Sequence, residues 1–264
     1  AVNFEGEIPE INQRNNYKKI KGLANKPFQV RLFKDVEDPR YNQLFIMPAY
    51  NYNIYDGITI GSKFYNKAVL RKPFQYKITP MWALKSTKLV GSGSVLYKKM
   101  PEFGNLYFYR VGFSGSYYSY DSDLFYKRFS PFASVGFRDS KDLRNNKKHI
   151  INIRNITVDR DKNPNVALES PNYSVFDINY VYSNPNLINY YKASIDYQVS
   201  ADFSKISTTL NYRKLFNNNR KIDVRLFTGV FIKNNTSQDD HYFSFALDRP
   251  TDYLFDFNYY GRSD

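Results

Sequence analysis

Residues 187–201, LINYYKASIDYQVSA, decide how the rest of the chain is read. Tyr191, Ala193, Ile195, Tyr197 and Val199 fall at alternate positions, with Lys192, Ser194, Asp196, Gln198 and Ser200 between or beside them. A β-strand turns successive side chains to opposite faces, so this period of two makes one apolar and one polar side. A helix would wind the same apolar residues around its whole circumference. The stretch predicts a long amphipathic strand.

The same pattern extends in both directions. In 205–213, Ile206, Thr208, Leu210 and Tyr212 oppose Lys205, Ser207, Thr209, Asn211 and Arg213. In 222–232, Ile222, Val224, Leu226, Val230 and Ile232 oppose Asp223, Arg225 and Gly229. Tyr107, Tyr109, Val111 and Phe113 alternate with Arg110, Gly112, Ser114 and Ser116. No stretch of similar length sustains the helical period, which makes the chain all-β.

Short turn signals separate the strands. Tyr55-Asp56-Gly57 joins 43–54 to 58–66, and Asp-Gly is a strong hairpin signal. Ser86-Thr87-Lys88, Glu102-Phe103-Gly104, Asp121-Ser122-Asp123, Ser183-Asn184-Pro185-Asn186 and Phe216 to Asn219 punctuate the remainder. Sequential hairpins build an antiparallel meander, here of about twelve to fourteen strands, with 27–34 and 149–157 open as members. Two regions break the rhythm: 1–26, polar and aperiodic, reads as a leader or linker, and 139–171 as a long charged excursion within the domain at 27–264.

Composition narrows the class. The 264 residues carry 38 Lys+Arg against 25 Asp+Glu, a net charge of +13, and no Cys. Disulfide scaffolds and thiol catalysis are excluded. Lys and Arg are scattered singly, without a basic helix or an aromatic RNP-like string, which argues against nucleic acid as a partner. No window approaches the roughly 18 apolar residues of a membrane-spanning helix. Strand length points instead to a transmembrane β-barrel. Soluble strands run about 5–6 residues, whereas a tilted membrane strand needs about 9–11. Tyrosines near strand ends (Tyr50, Tyr52, Tyr117, Tyr118, Tyr120, Tyr180, Tyr182, Tyr190, Tyr191, Tyr259 and Tyr260) match the aromatic girdles of such barrels. On this reading Tyr191, Ala193, Ile195, Tyr197, Val199, Ile206, Leu210, Val224, Leu226 and Val230 face lipid. The alternative is a soluble or surface-attached β-sheet protein that binds glycans through its aromatic rings.

Several runs carry a resemblance. They are Asp38-Pro39-Arg40-Tyr41-Asn42-Gln43-Leu44-Phe45, Tyr52-Asn53-Ile54-Tyr55-Asp56-Gly57, Phe64-Tyr65-Asn66-Lys67, Leu89-Val90-Gly91-Ser92-Gly93-Ser94 and Tyr253-Leu254-Phe255-Asp256-Phe257-Asn258-Tyr259-Tyr260-Gly261-Arg262-Ser263. Together the chain resembles the outer-membrane barrel that follows the peptidase domain in M1-type (gluzincin) metallopeptidase-like proteins of Bacteroidota. The resemblance implies location in the outer membrane, with lipid, lipopolysaccharide and other outer-membrane proteins as partners. It also implies a role as anchor or conduit for an N-terminal peptidase-like domain.

No catalytic residue, cofactor site or metal site is expected in this segment. There is no HExxH, and His149 and His241 lie far apart without an adjacent Glu. Asp159-Arg160-Asp161-Lys162-Asn163-Pro164-Asn165 resembles half a calcium loop, but Pro164 and Ser170 occupy the places of the required Gly and Glu. Gly91-Ser92-Gly93 lacks the Lys-Ser/Thr of a phosphate loop and reads as a bend in a curved sheet. The polar tail after an apparent strand at 252–260 leads to one further expectation. A barrel cannot leave an edge unpaired in lipid, so more strands should follow Asp264.

Overall fold

In a computed structural model the described residues are 8–10, 13–16, 26–33, 36–67, 72–102, 104–140, 142, 144–162, 172–236, 242–245 and 252–256. They form one twelve-stranded sheet whose order follows the chain. The strands are β1 (Phe28–Leu32), β2 (Asn42–Asn53), β3 (Gly57–Tyr65), β4 (Phe74–Ala83), β5 (Leu89–Lys99) and β6 (Leu106–Asp121). They continue with β7 (Leu124–Arg138), β8 (Lys148–Arg160), β9 (Tyr173–Pro185), β10 (Asn189–Val199), β11 (Phe203–Leu215) and β12 (Lys221–Asn234). From β2 to β12 every neighbour is antiparallel, as sequential hairpins require, and β1 adds to β2 in parallel with Phe28 opposite Asn42. The only helix among the described residues is a single 3₁₀ turn, Gln13–Asn16, in the polar leader.

Past β1 the strands run from nine residues in β3 to sixteen in β6. The region 139–171, read as an excursion, contains the full-length strand β8. Ile150, Ile156 and Val158 alternate there with Ile151 and Ile153, so both faces are partly apolar and the alternation is weak in the sequence.

The Asp-Gly turn has a second use. Gly57 sits at φ +67, where an L side chain is disfavoured. The preceding Asp56 is fully buried, and its carboxylate accepts bonds from Ser86 Oγ at 2.8 Å and from Ser119 Oγ and N at 2.6 and 3.1 Å. One turn residue thereby ties the β2–β3, β4–β5 and β6–β7 hairpins together.

The expected strand at 252–260 is not formed in its described part. Residues 252–256 make a turn, with Phe255 N bonded to Asp252 O at 3.1 Å and Asp256 N to Asp252 Oδ1 at 2.7 Å. Residues 257–260 lie outside the described set. This turn and residues 242–245 lie against one face of β7–β12. There Phe243 and Tyr253 pack with Ile156, Val158, Tyr173, Val175 and Phe203 in the main buried cluster.

Candidate membrane-facing surface and polar-face cluster

The register separates the two faces of the sheet row by row. One row of directly opposed residues runs Val111, Ala133, Ile153, Ile178, Tyr197, Ile206, Val230 across seven strands. One residue along each strand, the row is Gly112, Phe132, Arg154, Asp177, Gln198, Lys205, Phe231. One residue in the other direction it is Arg110, Ser134, Asn152, Asn179, Asp196, Ser207, Gly229. A period of two in every strand, kept in register by short turns, is what makes rows of opposite chemistry alternate.

All ten residues expected to face lipid fall on the apolar face. Leu226 and Val230 are 60% and 57% exposed, and Tyr191, Ile195 and Val224 are also exposed. Ala193, Tyr197, Val199, Ile206 and Leu210 are half-buried. At the end of the sheet carrying the turns 186–188 and 216–220, this face ends in a run of rings. Phe74 is opposite Tyr97, which lies 6.2 Å from Tyr109. Phe137 is opposite His149, whose ring is 4.8 Å from Tyr182, which is 6.0 Å from Tyr191, itself opposite Tyr212. Tyr180, Tyr182 and Tyr191 from the sequence reading belong to this end of the face. Tyr50 and Tyr52 are exposed at the other end, while Tyr259 and Tyr260 are outside the described residues.

The polar face is built from charges that pair across strands. Arg154 Nε donates to Asp177 Oδ2 at 2.6 Å, and the Asp177 side chain is only 1% exposed. Gln198 Nε2 donates to Asp196 Oδ1 at 2.6 Å, and Gln198 Oε1 accepts from Tyr253 OH at 2.5 Å. Lys205, 4% exposed, sits among the rings of Phe203, Phe231, Phe245 and Tyr253, with Nζ 4.8–5.5 Å from their centroids. A buried ammonium needs acceptors, and ring faces add cation–π attraction to them. Here the acceptors come from the docked segment: the carbonyls of Phe243 at 2.6 Å and Ser244 at 3.4 Å. Tyr173 OH donates to the Tyr253 carbonyl at 2.8 Å, and the Arg154 fork holds Asp256.

A second charged group lies outside the long strands. Glu37 accepts from Arg14 at 2.5–2.6 Å and pairs with Lys72 Nζ at 3.4 Å, while Lys26 Nζ reaches the Arg14 and Pro39 carbonyls. Burial alone would push Glu37 upward, but the bonds and charges of Arg14 and Lys72 outweigh it and hold the carboxyl below its usual range. Burial lowers both Lys72 and Lys26, against the pull of Glu37.

The other candidates separate. His149 is the second residue of β8, with Nδ1 2.7 Å from Tyr180 OH and Nε2 3.5 Å from Asp139. His241, Asn163, Pro164, Asn165 and Ser170 lie outside the described residues. Among the described residues no three His, Cys, Asp or Glu side chains gather in a metal-binding group. Gly91 lies inside β5 at φ +148, and a Cβ there would meet the Thr79 carbonyl at 2.1 Å, so the glycine allows two strands to approach closely. The polar-face cluster was not singled out from the sequence. Asp196 and Lys205 read there as isolated polar-face charges and Arg154 has no assigned face, because their partners come from other strands or from the docked residues 242–245 and 252–256. No family model matches the chain, and no match is found among curated proteins or solved structures.

Proposed function

We propose that the chain forms the wall of an outer-membrane β-barrel, acting as anchor or conduit for an N-terminal peptidase-like domain, with no chemistry in this segment. The observation that carries this reading is the apolar row from Val111 to Val230, continuous over seven strands, exposed at Val111, Ala133, Ile153 and Val230 and half-buried between them, and flanked by the rows that carry the charges. A contiguous exposed apolar surface of this kind marks a membrane or a partner. Strand lengths sufficient to cross a bilayer and a line of rings at one end favour the membrane. In lipid, the outward N–H and C=O groups of β1 and β12 need partners, supplied by each other or by further strands. Lipid and lipopolysaccharide are then the immediate surroundings of the apolar face, and other outer-membrane proteins are candidate neighbours.

Dilution of the urea-unfolded chain into phospholipid vesicles tests this reading. The expected result is a folded β species that resists extraction by alkaline carbonate. A chain that stays monodisperse in buffer without detergent, ignores vesicles and binds polysaccharide would favour the glycan-binding alternative.

A further inference from the structure

The polar face carries an open cavity of about 510 Å³ between β6 and β10, bounded on one side by Leu254, Phe255 and Asp256. Three guanidinium groups, from Arg110, Arg128 and Arg154, line it. Arg154 is set by Asp177, which holds Nε from within the wall. Its two terminal nitrogens are thereby left pointing at the docked turn, where they take the Asp256 carboxylate in a bidentate grip at 2.6 and 3.1 Å. A guanidinium fork oriented from behind in this way matches the geometry of an oxyanion. Its occupant is weakly sequestered: the Asp256 side chain is 46% exposed. Arg128 stacks 4.5 Å from the Phe255 ring, and its Nε is shut off from water without an acceptor. Phe255 itself is held at φ +55, a conformation that a bulky L residue rarely adopts.

We propose that Asp256 is an internal stand-in for a ligand, and that this cavity binds small carboxylate-bearing solutes at Arg154, with Arg128 available to a second oxyanion. Tyr253 is the pivot. Its hydroxyl and carbonyl are both bonded to the wall, at Gln198 and Tyr173, so the turn stays tethered while Phe255 and Asp256 swing away. Release relaxes the Phe255 backbone and gives the Arg128 Nε access to an acceptor. The proposal stands on the polar face alone and does not depend on whether the opposite face lies in lipid.

Succinate is a suitable probe, titrated calorimetrically into the detergent-solubilised chain against sodium chloride of matched ionic strength. Saturable binding is expected in the wild-type chain. Asp256→Asn removes the internal competitor and should bind at least about tenfold more tightly, because less of the protein is held in the occupied state. Arg128→Gln should weaken binding while leaving the Arg154–Asp177 pair intact. Arg154→Gln is avoided, since it leaves Asp177 buried without its partner. Far-ultraviolet dichroism establishes that each variant keeps its β structure. No saturable heat in either the wild type or Asp256→Asn, equal affinities in the two, or a response reproduced by sodium chloride overturns the proposal.

Discussion

Lys205 Nζ donates to the main-chain carbonyl of Phe243 at 2.6 Å, joining β11, the strand next to the sheet's last edge, to a segment 38 residues further along the chain. The ammonium is enclosed by four rings, two of them, Phe245 and Tyr253, supplied by the docked residues themselves. Lys205→Met keeps the aliphatic stem and removes the donor, leaving the Phe243 carbonyl without its partner. The expected loss is about 1–3 kcal/mol, the usual cost of stranding a buried acceptor. A urea titration followed by dichroism checks it, and an unchanged midpoint would show that the segment docks through its rings alone.

The two faces should respond oppositely to charge. Ile195→Arg or Leu226→Arg, on the apolar face, should cost about 2–4 kcal/mol for refolding into lipid. Ser194→Arg, one residue away on the polar face, should cost much less. Because the chain has no cysteine, single nitroxide labels can be placed at will. Labels at 195 and 196 should differ in access to oxygen and to a nickel chelate, and equal access at both would remove the basis for assigning a lipid-facing side.

Glycine positions give a graded series. A Cβ on Gly61 would lie 2.0 Å from the Pro80 carbonyl oxygen, a backbone atom that cannot move without disturbing the β3–β4 pairing. On Gly229 it would lie 2.7 Å from the Phe245 ring, which can shift at the expense of the docked segment. On Gly93 the nearest atom is 3.8 Å away. Gly229→Ala should therefore cost about 1–3 kcal/mol, Gly61→Ala more, and Gly93→Ala less than about 0.5 kcal/mol. Urea midpoints in that order are the expected result.

Acid should loosen the contact between Glu37 and the leader's Arg14. The folded-state pKa of Glu37 is lowered, so the folded chain holds this proton less tightly than the unfolded chain does. Its contribution to stability is complete above the ordinary carboxylate value and is lost as the pH falls through the lowered one. Lys26 and Lys72 have lowered values too, which for a base has the other consequence: their charged forms cost stability near neutrality, and the cost fades as the pH rises toward the unfolded value. Glu37→Gln should flatten the acid limb of a stability profile taken between about pH 3 and 7. A variant whose acid limb matches the wild type would place the effect elsewhere.

The alternation in 187–201 was enough to establish the class of fold, because a period of two admits one backbone geometry and the short turns leave only a meander. The same alternation placed all ten named apolar residues on one face, since facing depends only on parity within a strand once the register is kept. Strand β8 was harder to read because both of its faces are partly apolar, which blurs the parity signal. What lies on the polar face was decided by the tertiary structure alone. Tyr253-Leu254-Phe255-Asp256 has the composition of a strand, yet no local rule says that Tyr253 will find Gln198, or Asp256 the fork of Arg154, 102 residues earlier. Those partners converge only after the strands have paired in register and residues 242–245 and 252–256 have docked on the sheet, and a buried charge is placed by whichever counter-group the completed fold brings within reach.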